Sequence, residues 1–320
     1  MTDNAPAPGV PTIDLHSHPG QCFRGHSHAI GDSVAQMAAS GVTAGLFCAV
    51  GDLPVLEWRE GAIEATREPY AGEMYRDTQR QLATLGELID GGTVTHVREP
   101  ADVARAQADG PPGAILAVEG GDFLESRLER VEEAHEQGVR CIQLVHYRVN
   151  ELGDIQTAAP HHGGLSLFGA EVIREMNRLG LLVDLAHATH AVTRDACDIT
   201  TKPLLLSHSL VAEGHPRFIS TEHARAVAET GGLVGAWDVG FAQIGFSEYI
   251  DAIERMVEAV GVDHVGIGTD MDASYHPPVG SYANWPRIPQ ALRERGYADA
   301  DVDKIMGGNF MRVFRAVRGE

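Results

Sequence analysis

Thr12-Ile-Asp-Leu-His-Ser-His18-Pro-Gly20 decides the fold. An apolar run of strand length ends there in two histidines. The glycine-rich phosphate fingerprint that follows the first strand of an open doubly wound sheet is missing. The same form recurs along the chain in Ala114-Ile-Leu-Ala-Val-Glu119, Cys141-Ile-Gln-Leu-Val-His146, Leu181-Leu-Val-Asp-Leu-Ala-His187, Pro203-Leu-Leu-Leu-Ser-His208 and His264-Val-Gly-Ile-Gly-Thr-Asp270. Each run carries metal-binding chemistry at its end. With 43–50 and 233–238, the strand candidates are 12–18, 43–50, 114–119, 141–147, 181–187, 203–208, 233–238 and 264–270. A closed (β/α)8 barrel places functional residues at the C-terminal ends of different strands. The spacing therefore predicts a single-domain α/β chain over 1–320, a TIM-type barrel.

Helical patterns fill most gaps between these runs, as a parallel sheet with crossover helices requires. Val172, Ile173, Met176 and Leu179 form one apolar face before Gly180; Tyr249, Ile250, Ile253, Met256, Val257 and Val260 form another before Gly261. The segment 51–113 is too long for one helix and reads as an insertion between the second and third barrel strands. It is predicted to hold a helix around 71–90, an extra strand at 93–97 and a short helix at 101–109. Residues 277–289 read as a long loop and 301–317 as a terminal helical region.

The charge balance of 25 basic against 45 acidic residues, net −20, argues against nucleic acid or an anionic membrane as partner. The first residues carry no basic and apolar leader pattern, and no run approaches the roughly 18 apolar residues of a membrane span. Cys22, Cys48, Cys141 and Cys197 are scattered, and two lie in apolar runs, so buried thiols in a reducing cytoplasm are expected. The chain is compatible with a homodimer, although no signal in it specifies oligomeric state.

His16 and His18 stand two apart on a strand, so both face one side and suit one metal or two neighbouring ones. His187 and His208, ending consecutive strands, join Glu119 to make a nitrogen and oxygen ligand set suited to zinc. A two-metal site needs a bridging anion. Only Lys202 and Lys304 are lysines, and neither stands at a C-terminal strand end, which nearly closes the carboxylated-lysine option. Glu119 is then the natural bridge. Asp270 ends the eighth strand after Gly266 and Gly268, glycines that permit close approach of backbone and substrate. A carboxylate there can take a proton from an attacking water; Asp272 could share the role. His26, His28, His161 and His162 sit in loops and read as non-ligating.

These blocks, together with Leu165-Ser-Leu-Phe-Gly-Ala-Glu-Val-Ile-Arg-Glu-Met-Asn-Arg-Leu-Gly180, His215-Pro-Arg217 and Gly307-Gly-Asn-Phe310, resemble the membrane (renal) dipeptidase family of zinc peptidases, a branch of the amidohydrolases. The resemblance runs in family order from residue 12 to about 314. It implies a zinc-dependent dipeptidase acting on small dipeptides with a free C-terminal carboxylate, with tolerance of a D-residue at the second position. It implies that His16 and His18 bind one zinc and that His187 and His208 bind a second, with Glu119 bridging the two. It also implies that His146 faces the scissile carbonyl, that Arg217 holds the substrate carboxylate, and that Asp270 is the acid and base. The family's first motif is usually H-x-D, whereas this chain has His18. The altered motif and the 51–113 and 271–287 segments, the latter with Tyr275, His276 and Trp285, motivate an alternative: a two-metal amidohydrolase acting on an N-acyl amino acid or a lactam. A non-catalytic barrel would have no chemical need for the full residue set.

Overall fold

The computed structural model describes residues 9–19, 30–59, 61–108, 110–240, 245–273 and 277–320. Cys22, His26, His28, Tyr275 and His276 lie outside the described residues. Eight parallel strands close into a ring: β1 (Ile13–Ser17), β2 (Ala44–Val50), β6 (Gly113–Glu119), β7 (Val139–Gln143), β8 (Leu182–Asp184), β9 (Leu205–Ser209), β10 (Leu233–Trp237) and β11 (Val265–Gly268). β2 pairs with both β1 and β6, and this double pairing seals the ring. Helices α1 (Ile30–Ser40), α4 (Glu129–Glu136), α5 (Leu167–Leu179), α6 (His190–Ile199), α7 (Thr221–Glu229) and α8 (Phe246–Val260) connect successive strands. The expected (β/α)8 barrel is the observed one. Among the described residues, no helix is long and apolar enough to cross a membrane.

The insertion between β2 and β6 contains α2 (Glu73–Asp90), β5 (Thr95–His96) and α3 (Pro100–Ala108), near their expected places. β5 pairs in parallel with the first residues of β6, Thr95 with Gly113 and His96 with Ala114. The insertion also contains an unexpected antiparallel hairpin, β3 (Leu56–Arg59) with β4 (Ala62–Ala65). Its strands read Leu-Glu-Trp-Arg and Ala-Ile-Glu-Ala, so Glu57, Arg59 and Glu64 keep it from presenting a long apolar run. Gly61, at φ 87°, makes its turn. Beyond β11, the expected loop is partly helical: Tyr282–Asn284 form one turn and α9 (Arg287–Glu294) follows. Trp285 is buried in the core beside Tyr282. The chain ends in α10 (Asp299–Asp303) and α11 (Asn309–Arg318).

Two apolar clusters hold the barrel. The larger fills the space between strands and helices. The smaller joins Leu15, Leu46, Ile115, Leu182, Leu205 and Leu233 to Phe310, Phe314 and Val317 of α11, which floors the ring. Burial of such side chains contributes roughly 1.5–3 kcal/mol each. Gly307 permits the chain to pass close to β1, because a Cβ there would meet the Pro11 carbonyl oxygen. In the mouth, Gly235 and Gly268 do the same for the Ser207 carbonyl, whose oxygen would lie 1.8 and 1.9 Å from their Cβ positions. Close approach at Gly268 therefore serves backbone packing, not the substrate.

Candidate metal centre

β1 carries an extra residue relative to β2 between Asp14 and Ser17, a bulge that interrupts the alternation of faces. Leu15 can then join the interior cluster while His16 and His18 both turn to the mouth, their Nε2 atoms 3.1 Å apart. Their strand neighbour Asp14 accepts from the backbone N–H of His16 and Thr269 and from the hydroxyls of Thr269 and Tyr282. His208 lies within β9, whereas His146 and His187 stand past the ends of β7 and β8. β8 stops at Asp184 because its carboxylate takes the backbone N–H of Ala186 and Ser207. The chain then turns, and His187 sits in the left-handed region at φ 67°. Asp270 follows β11 at φ 56°. Non-glycine residues rarely adopt this conformation, and such strain gathers at functional sites.

Glu119, buried at the end of β6, is the hub. Its Oε2 lies 3.2 Å from His18 Nε2. Its Oε1 lies 3.3 Å from His16, 3.4 Å from His146, 3.3 Å from His187 and 3.7 Å from His208, all at Nε2. Asp270 Oδ1 completes the ring at 3.3 Å from His18. His16, His18 and Asp270; His16, Glu119 and His208; and Glu119, His146 and His187 each form a group able to hold a cation. Asp272 is turned away and accepts a hydrogen bond from Ser33. His161 and His162 stand in the β7 to α5 loop, where Asp154 accepts from both backbone N–H groups, outside these clusters.

The donor set fits a metal on four counts. Two nitrogens bound at about 2.0–2.1 Å to one tetrahedral ion stand about 3.3 Å apart; the His16–His18 and His187–His208 pairs are both at 3.1 Å. Burial, then Arg217 and His146, drives the His187 imidazole well below its usual range, and burial with His16 does the same for His208. Neutral imidazoles are what a metal requires. Burial alone would raise the Glu119 carboxyl, but His146 and His16 foremost hold it well below the ordinary carboxylate range. Burial lowers His18, but Asp270 and Glu119 outweigh it and lift the ring to about 10. The pocket thus attracts positive charge, and a cation bound at His18 displaces its proton.

Hydrogen bonds behind the rings aim them. His18 Nδ1 meets the Cys48 carbonyl at 3.2 Å. His16 Nδ1 and His208 Nδ1 converge on one hydroxyl, Ser207 Oγ, at 3.3 and 3.0 Å. His146 Nδ1 lies 2.7 Å from Asp52 Oδ1, while Asp52 Oδ2 accepts from the backbone N–H of Tyr147 and Arg148. Such outer partners set tautomer and orientation.

Arg217 lies in the β9 to α7 loop, 1% exposed. Its Nη1 donates to Gln156 Oε1 at 2.5 Å. Its Nε and Nη2 have no hydrogen-bond partner among the described residues. The Trp237 ring lies 5.0 Å from the guanidinium carbon. Two unused donors on a planar fork suit a carboxylate. Cys48 and Cys141 are buried free thiols, as expected.

Asp52, Gln156, Ser207 and Trp237 were not singled out in the sequence. Asp52 follows the β2 run in Val50-Gly51-Asp52, and Trp237 ends β10, so the strand-end rule that found the others also covers these two. Gln156 is brought to the site by a loop and had no such signal.

A family model for membrane dipeptidase (peptidase family M19) matches residues 34–319. The chain is 29% identical over 273 residues to the dipeptidase aclJ of Aspergillus oryzae, and 28% identical over 255 residues to the dipeptidase tcpJ of Claviceps purpurea. These matches cover 78% and 76% of this chain, but 64% and 60% of those relatives, so it spans less than two thirds of their length. A solved amidohydrolase from Pseudomonas aeruginosa superposes with a TM-score of 0.82 at 25% identity, covering 97% of both chains. Together with the geometry of the mouth, the family match over residues 34–319 places the chain in the membrane dipeptidase family, peptidase family M19.

Proposed function

We propose that this chain is a zinc-dependent dipeptidase for substrates with a free C-terminal carboxylate. The observation that carries the reading is the convergence of five imidazoles on Glu119, with buried Arg217 connected to that cluster through Trp237. His16 and His18 would hold one ion, His187 and His208 a second, with Glu119 between them. His18 remains a nitrogen ligand because Cys48 engages its Nδ1 and leaves Nε2 facing inward. Bound divalent ions supply Lewis acidity toward a carbonyl oxygen and bring the pKa of water to about 7.

The chain's own groups do the rest. Arg217 pairs with the terminal carboxylate and fixes the peptide's direction. His146, fixed by Asp52, faces the scissile carbonyl. Asp270 takes the proton of the attacking water, whose oxygen bonds to the carbonyl carbon, and gives it to the amine nitrogen as the C–N bond breaks. A D-residue at the second position is accepted under this reading. Zinc-loaded protein is to be assayed on L-Xaa-L-Xaa and L-Xaa-D-Xaa panels beside N-acyl amino acids and lactams. Turnover of free dipeptides, lost when the C-terminus is amidated, is the expected result; activity confined to the other amides would replace this reading with the broader amidohydrolase one.

A further inference from the structure

Trp237 ends β10, 3% exposed, and touches the mouth on three sides. Its indole Nε1 donates to Asp270 Oδ2 at 3.2 Å. Its ring carries the Arg217 guanidinium, 5.0 Å from the centroid, and meets the His208 ring edge to face at 5.7 Å. With Oδ2 engaged, Asp270 Oδ1 is left toward His18 at 3.3 Å and His16 at 3.9 Å. One rigid side chain therefore spans the group assigned to anchor the substrate and the group assigned to move its proton.

We propose that Trp237 is a positioning residue that sets the separation between the carboxylate anchor and the proton-transfer carboxylate. This rests on the dipeptidase reading above. Its two contacts act on different steps. The indole N–H orients Asp270, so losing it slows proton transfer without weakening substrate binding. The ring face orients the Arg217 fork, so losing the ring weakens capture of the carboxylate. Because both contacts belong to one rigid ring, Trp237 also acts as a ruler. It favours leaving groups with one carbon between the amide nitrogen and the carboxylate over those with two.

Trp237→Phe keeps a ring under Arg217 and removes the N–H; Trp237→Leu removes both. Steady-state kinetics on a dipeptide and on its counterpart ending in β-alanine, with zinc content checked for each variant, separate the contributions. Trp237→Phe is expected to lower kcat about 10- to 100-fold, the size of a lost hydrogen bond to a charged group, with KM within about twofold of wild type. Trp237→Leu is expected to raise KM about 5- to 30-fold as well and to narrow the preference for the α-amino acid leaving group. An unchanged kcat in Trp237→Phe, or a KM rise equal to that of Trp237→Leu, overturns the proposal. So does loss of zinc from Trp237→Phe, which would assign the ring to holding His208. If wild type cleaves no dipeptide but does cleave an N-acyl amino acid, the dipeptidase reading fails, and the same kcat and KM split is read on that amide.

Discussion

The two ends of the barrel solve opposite problems. At the floor, Phe310, Phe314 and Val317 of α11 close the ring against Leu15, Leu46 and Leu233 in an apolar cluster. At the mouth, Glu119, five histidines and Asp270 are nearly as buried, yet they crowd polar atoms within 4 Å of one another and hold two residues at positive φ. Buried polar groups cost free energy unless they are paired. An ion between facing nitrogens would provide that pairing. The floor thus spends its residues on stability, and the mouth accepts a local penalty for chemistry.

Four substitutions test this contrast, beginning with the largest effect. Glu119→Gln should lower kcat/KM by about 10³-fold or more, the scale of a lost metal bridge. Phe314→Ala should do the reverse. It should destabilise the fold by about 3–5 kcal/mol in denaturant titration, while KM and metal content of the folded protein hold. A Phe314→Ala enzyme with normal stability would mean α11 does not seal the floor.

Asp52→Asn keeps the shape but loses the charge, and it sets an amide N–H₂ against either the His146 ring or the backbone N–H groups of Tyr147 and Arg148. Loss of about 10- to 100-fold in kcat/KM with intact zinc is expected from steady-state assay. Ser207→Ala is the mildest change. Its hydroxyl stands behind His16 of one pair and His208 of the other, so removing it should weaken retention of both ions by about 10-fold. Chelator competition reads this directly, and weakening of only one ion would show that the hydroxyl does not serve both pairs.

Most of the barrel was legible because its strands are buried on both faces and read as apolar runs, from Ala44–Val50 to Val265–Gly268. The strand-end rule brought His16, His18, Glu119, His187, His208 and Asp270 together. It extends to Asp52 and Trp237, but the first opens the insertion and the second is an apolar residue that carries no ligand chemistry. The β3–β4 hairpin was illegible for the opposite reason: its strands are only four residues long, interrupted by charge and mostly exposed. Gln156 reaches Arg217 through a loop, and no periodicity predicts a contact between residues 61 positions apart. The bulge in β1 changes which side chains share a face, and only the pairing with β2 reveals it.

The central claim is a two-ion centre organised by Glu119. Its most direct test is metal stoichiometry by mass spectrometry on protein loaded with zinc and freed of excess by gel filtration, for wild type and Glu119→Gln. Two ions per chain are expected in wild type, falling to one or fewer in the variant. A wild type that retains one ion or none, or a variant that retains both, would contradict it.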